Sequence, residues 1–188
     1  DIAVGAMTIC TSTMLFAMLP MQGIGLGAQP ISSYNYGARN AGRVKETFHL
    51  LRNVCMTYSV VLWLAIMLFP RVFAGIFSSD AALLDYSVRA LRIYCAAMFL
   101  FGIQIACQLT FTSVGNAVCS IIVAVVRKFV LLIPLIYIVP SIGILENEAL
   151  DVYLAEPVAD VIAVTFTSIL FYFQFRKALK KLNTEEVV

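Results

Sequence analysis

The first twenty residues after Asp1 are almost wholly uncharged, and apolar runs of similar length recur along the chain. Such runs leave few options, because about 20 apolar residues of helix cross a hydrocarbon core about 30 Å thick. The runs are continuous rather than alternating, so helices are expected and membrane β-strands of about ten residues are excluded. Composition agrees: 61% of the 188 residues are hydrophobic and only 13% are charged, against about a quarter charged in ordinary globular chains. The expectation is an all-α polytopic membrane helix bundle with five transmembrane helices, over about 2–34, 44–69, 81–113, 118–139 and 152–182. Residues 183–188 would form a cytoplasmic tail. The chain opens at Asp1 without an initiator Met and reads as part of something longer.

Local signals refine the pattern. Pro20, Pro30 and the series Gly23, Gly25, Gly27 predict an interruption or bend in the first helix. Gly23 and Gly27 stand four apart on one face, where another helix could approach closely. In "NYGARNAGRVK", Asn35 and Gly37 tolerate left-handed backbone and so predict the helix exit. "FPRVFAGIFSSD" predicts a short interfacial helix and a new start capped by Ser79 or Asp80, and "SVGNAV" a tight turn at Gly115.

Basic residues set the orientation. Arg39, Arg43, Lys45 and Arg52 surround the first connection, Arg127 and Lys128 follow the third, and Arg176, Lys177, Lys180 and Lys181 follow the fifth helix. With alternating helices these lie on one side, which the positive-inside rule makes cytoplasmic. Asp1, Asp80, Asp85, Glu146, Glu148, Asp151 and Glu156 fall on the other, with Arg71, Arg89 and Arg92 as exceptions. The expected location is the inner (plasma) membrane, with the C-terminus in the cytoplasm. A net charge of +2 gives no nucleic-acid role.

The residues that could carry chemistry are few. Asp160 is the only carboxylate expected inside an apolar core, and an ionisable group there is either a functional cation or proton site or a structural cap. Arg127, about 13 Å into its helix, requires a partner or snorkelling. A direct Arg127 to Asp160 pair is not expected, since the two enter from opposite faces. Gln104, Gln108 and Thr112 recur every four residues, as packing glue or as the wall of a wet cavity. Met14, Met18 and Met21 offer either core packing or an adaptable binding wall. The aromatics Tyr58, Trp63, Tyr94, Phe99, Phe101 and Phe111 could meet a cation through their π faces, or could be core. The five cysteines have no CxxC pair and no His partner, and read as buried apolar residues rather than metal ligands. His49 reads as part of an interfacial helix start, and nothing matches a nucleotide loop, a catalytic triad or a metalloprotease helix. No enzymatic step and no cofactor is expected.

Three stretches carry a resemblance. "GIGLGAQPISSYNYGARNAGRVKETF", "LTFTSVGNAVCSIIVAVVRKFVLLIPLIYIVP" and "VYLAEPVADVIAVTFTSILFYF", in this order, resemble segments of the multidrug and toxic compound extrusion (MATE) family. The resemblance implies helices eight to twelve of a twelve-helix, two-lobe transporter, whose first lobe and helix seven would be supplied by the same polypeptide. It implies alternating-access export of small organic cations or drugs in exchange for Na⁺ or H⁺. Pro20, Gly23, Gly27, Gln29, Pro30, Asn35, Tyr36 and Gly37 would form a cytoplasm-side gate and hinge. Arg43 and Arg127 would be structural. Some family members carry a coupling acid in the helix matching the third one here, yet this chain has none between Asp85 and Gly115. Two other readings remain at this stage: a lipid-linked oligosaccharide flippase of the same superfamily, and a half-length membrane subunit without transport of its own.

Overall fold

The computed structural model describes residues 2–145 and 148–184, and among them every regular element is helical. In chain order these are α1 (Ile2–Gly37), α2 (Ala41–Leu68), the short α3 (Pro70–Gly75), α4 (Ala81–Tyr94) and a 3₁₀ turn (Met98–Leu100). There follow α5 (Phe101–Ser113), α6 (Ala117–Val125), a π-helical segment (Val126–Leu132), α7 (Ile133–Ile142) and α8 (Glu148–Thr184). Four helical stretches are long and apolar enough to cross a membrane, and α4 with α5 makes a fifth if that bent pair is one span. Asp1, Glu146 and residues 185–188, which the sequence placed on the outer side and in the tail, lie outside the described residues.

Many large apolar side chains point outward, among them Val4, Leu15, Leu64, Phe129 and Phe173. Such a surface is compatible with a bilayer, because hydrocarbon tails solvate leucine as well as a core does. The inside is a cluster that includes Met14, Met21, Leu91, Met98, Phe101 and Phe111. All five cysteines are free and buried.

The first helix is not interrupted. It runs unbroken through both Pro20 and Pro30 for 36 residues, because in hydrocarbon a broken helix would strand backbone groups that no water can satisfy. Its exit also differs from expectation. Asn35 and Gly37 stay helical, Asn35 donating its amide to the Ile31 carbonyl at 2.8 Å, and the left-handed residue is Arg39, at φ 59°. Asn40 then caps α2, its side-chain oxygen accepting from the Arg43 N–H at 3.0 Å. The interfacial helix is α3, and Asp80 is the cap of α4, accepting from the Ala82 N–H at 3.0 Å. The turn at Gly115 has φ +75°.

The largest departure is in the third span, expected as one helix over 81–113. It is two helices meeting at 46°, and no proline causes the break. The reason is steric. A Cβ on Gly102 would lie 2.6 Å from backbone atoms of Cys55 and Met56, so α5 sits directly on the backbone of α2, and α4 must turn away to pack on α1 and α3. Side chains from α2 meet the loosened backbone: Trp63 Nε1 donates to the Ala96 carbonyl at 3.1 Å and Ser59 Oγ to the Phe99 carbonyl at 3.0 Å. Ser59→Ala is expected to cost about 1 kcal/mol, read as a lowered thermal midpoint; Trp63, packed 5.3 Å from the Phe99 ring, is this chain's only tryptophan and reports the melting of the bend.

Candidate functional site

Arg127 is the residue around which the buried charge collects. It lies in the π-helical segment Val126–Leu132, whose widened turn precedes Pro134, a residue with no N–H to give to an α-helical ladder. Its Nε donates to Asp160 Oδ1 at 2.7 Å, and Nη2 reaches the same oxygen at 2.7 Å. The other face of the guanidinium lies 4.9 Å from the centroid of the Phe101 ring. Nη2 is also 3.7 Å from Glu156 Oε1, and the Lys128 ammonium is 3.7 Å from that same oxygen. Asp160 is 1% exposed, while the Lys128 side chain is half exposed.

The pair corrects two sequence expectations. Asp160 and Arg127 do meet, because α8 begins at Glu148 rather than near Val152. Asp160 is therefore twelve residues into α8, about 18 Å, and Arg127 ten residues past Ala117, about 15 Å. On antiparallel helices crossing about 30 Å of hydrocarbon, those two depths coincide. Glu156, assigned to the outer side, is buried one helical turn before Asp160 on the same face. The signal was present in the sequence as a Glu and an Asp four apart, the spacing that puts two side chains on one helix face.

Two carboxylates and two cations make a network with no net formal charge, which is how ionised groups become tolerable away from water. It also clasps a weakly held element. Of α6, the π segment and α7, only Cys119, Val123 and Val139 are buried, so the ion contacts to α8 are the specific part of the attachment. Asp151, further toward the start of α8, is also buried and accepts from the Leu145 N–H at 2.9 Å.

The other residues singled out do not converge here. Gln104 is buried with its Oε1 unpartnered, Gln108 is half-buried and Thr112 is exposed, its hydroxyl bonded to the Gln108 carbonyl at 3.2 Å. The three form a stripe from core to surface rather than one wall. Met14 belongs to the core, with Met18 packed against it. The Gly23 and Gly27 positions have nothing within 4 Å of an added Cβ; the close approaches in α1 are at Gly25, where a Cβ would meet Leu109, and at Gly5, where it would meet Leu83. Pro20, Pro30 and Gly37 are exposed and Gln29 is half-buried. Tyr36 lines a cavity of about 480 Å³ beside the Gly115 turn. Arg43 pairs with Glu46 at 3.2 Å on the surface. Among the described residues no group of three His, Cys, Asp or Glu side chains could hold a metal ion.

The family model for MatE matches residues 1–138, nearly three quarters of the chain. The chain belongs to the MatE family. Among solved structures, the MATE multidrug transporter DinF-BH is 35% identical, with a TM-score of 0.76 over 85% of this MatE chain and 35% of that one. The inward-facing conformation of a multidrug resistance MATE family transporter of the MOP superfamily is 17% identical, with a TM-score of 0.83 over 96% of this chain and 43% of that one. MATE in complex with MaL6 is 17% identical, with a TM-score of 0.85 over 96% and 40%. The last two show the fold alone. The MatE chain thus spans less than half the length of the solved transporters it matches. No protein of curated function matches it.

Proposed function

We propose that this MatE protein works as a secondary active antiporter, exporting small organic cations or drugs in exchange for Na⁺ or H⁺ by alternating access. Its helices pack with a partner lobe of the same polypeptide in the plasma membrane, the C-terminus is cytoplasmic, and no cofactor takes part. The observation that carries this reading is the neutral network of Arg127, Lys128, Glu156 and Asp160 at mid-span.

An incoming cation finds both carboxylates already countered. To reach Asp160, a proton or Na⁺ must displace the Arg127 guanidinium, since holding an extra charge in a medium of low dielectric is costly. Displacement unfastens the α6–α7 arm from α8. The network therefore has two arrangements, clasped and ion-bound, and a ligand shifts such a balance only through its different affinity for the two. A cationic substrate competing for the same negative groups would be excluded while the ion is bound, which gives exchange rather than co-transport. Repeat lobes moving about a midplane site is the general logic of such transporters. The flippase alternative calls for unpaired cations deep in the cavity, and both deep cations here already face carboxylates.

Asp160→Asn tests the reading. The amide keeps an acceptor for Arg127 and Glu156 remains beside it, while the network is left one positive charge in excess, so export is compared at equal amounts of protein in the membrane. Export of ethidium by cells carrying the variant at the native locus should fall to the level of a deletion strain. Export at the wild-type rate would return Asp160 to a purely structural role.

A further inference from the structure

At the basic end of the bundle a cleft of about 420 Å³ opens between α2 and α8, with α5 behind it. It is remote in composition from the ion network: Lys45, Arg52 and Arg176 stand around it with His49, and no Asp or Glu lines it. Among the described residues none of these three permanent cations has a carboxylate within ion-pair distance. Arg52 reaches only the neighbouring Asn53 amide oxygen, at 3.3 and 3.0 Å, and Arg176 lies 4.5 Å over the Tyr172 ring. Cations gathered around one concavity without a counter-charge set up a positive field that an anion relieves.

The floor of the cleft is apolar and firm. Phe48, Phe171 and Phe175 are buried; Phe171 stacks on Phe48 and on Phe175 with centroids 4.5 Å and 4.7 Å apart, and Phe48 is tilted against Phe175 at 5.2 Å. Its lips on α8 are Leu179 and the outward-facing Tyr172, at 51% exposure, and Phe173, at 65%, lines the cleft that continues it. A second cleft of about 770 Å³ continues it along α8, sharing Tyr172, Arg176 and Leu179 and adding Lys177. A small soluble anion would use the cations alone. A ligand that uses cations, aromatic floor and lipid-facing lips together is an amphiphile with an anionic head.

We infer that this cleft binds an anionic phospholipid, its phosphate held by Lys45, Arg52 and Arg176 and its glycerol and acyl chains laid against the aromatic floor and the apolar lips. Basic pockets between membrane helices at the cytoplasmic side are suited to such headgroups.

The test uses the complete purified transporter and native mass spectrometry in detergent, titrating dioleoylphosphatidylglycerol against dioleoylphosphatidylcholine. The anionic lipid should bind about tenfold more tightly or better, and inorganic phosphate at the same concentration should not displace it. Arg52→Gln with Arg176→Gln should remove that preference, while Arg71→Gln at the opposite end should keep it. Equal binding of the two lipids, or no lipid bound because other parts of the polypeptide fill the cleft, would overturn the inference. Displacement by phosphate would overturn it as well, marking a soluble-anion site. Should the double variant fail to fold, the lipid preference and phosphate competition of the wild-type protein still decide the matter, and neither depends on export activity.

Discussion

Arg127→Leu should lower the stability of the purified transporter by about 3–5 kcal/mol, the usual consequence of removing one partner from a buried ion pair. Asp160, 1% exposed, would be left with no cation closer than Lys128, whose ammonium is placed on Glu156. The α6–α7 arm would lose its clasp in the same step, and it has few buried apolar side chains to fall back on. The measurement is the thermal midpoint by fluorescence-detected size-exclusion chromatography. Arg127→Leu combined with Asp160→Leu should recover most of the loss, because two apolar groups replace two charges and leave the Lys128 and Glu156 pair in place. A double variant as unstable as the single one would show that the arm is held by something other than this pair.

Gly102→Val is expected to have an effect of similar size and a different origin. The added Cβ alone would fall 2.6 Å from the Cys55 carbonyl carbon and oxygen and the Met56 Cα, and backbone cannot turn aside as a side chain does. Overpacking of this kind costs about 1–3 kcal/mol where neighbours can adjust, and more is expected where they cannot, so the variant should be recovered mainly as aggregate. Gly25→Ala is the control. Its nearest obstacle is the end of the Leu109 side chain, which can change rotamer, and the thermal midpoint should move by only a few degrees. Equal damage from both substitutions would mean that α2 and α5 are not in backbone contact at Gly102.

The contrast between these two glycines shows what was legible in the sequence. Spans, caps and turns are local: an apolar run of twenty residues has one economical solution in hydrocarbon, Asp80 precedes a helix it can cap, and Gly115 occupies a turn that needs positive φ. Family membership was legible too, because three motifs kept their order along the chain. Which of α1's glycines meets a neighbour is not local. Gly23 and Gly27 have the spacing of a packing seam, but the side chain that comes close belongs to Leu109 and meets Gly25 instead. The bend between α4 and α5 has no proline to announce it, only Arg92 in the last turn of α4; its cause is the approach of another helix. The Arg127 and Asp160 pair was missed for a smaller reason. Four residues of error in the start of α8 shifted the depth of Asp160 by about 6 Å, nearly the reach of an arginine side chain.

The sealed thiols give the chain an experimental handle. Cys10, Cys55, Cys95, Cys107 and Cys119 are all enclosed by the bundle, and alkylation requires both access and a thiolate, so a membrane-impermeant maleimide should find none of them in the folded chain. A single cysteine placed at the exposed Ala38 or the exposed Ser79 would then be the chain's sole reagent-accessible position. In a polypeptide whose remaining part carries no accessible cysteine, adding the maleimide to intact cells and to inverted vesicles would read which end of the bundle faces which compartment, without rebuilding this core to remove a native sulfur.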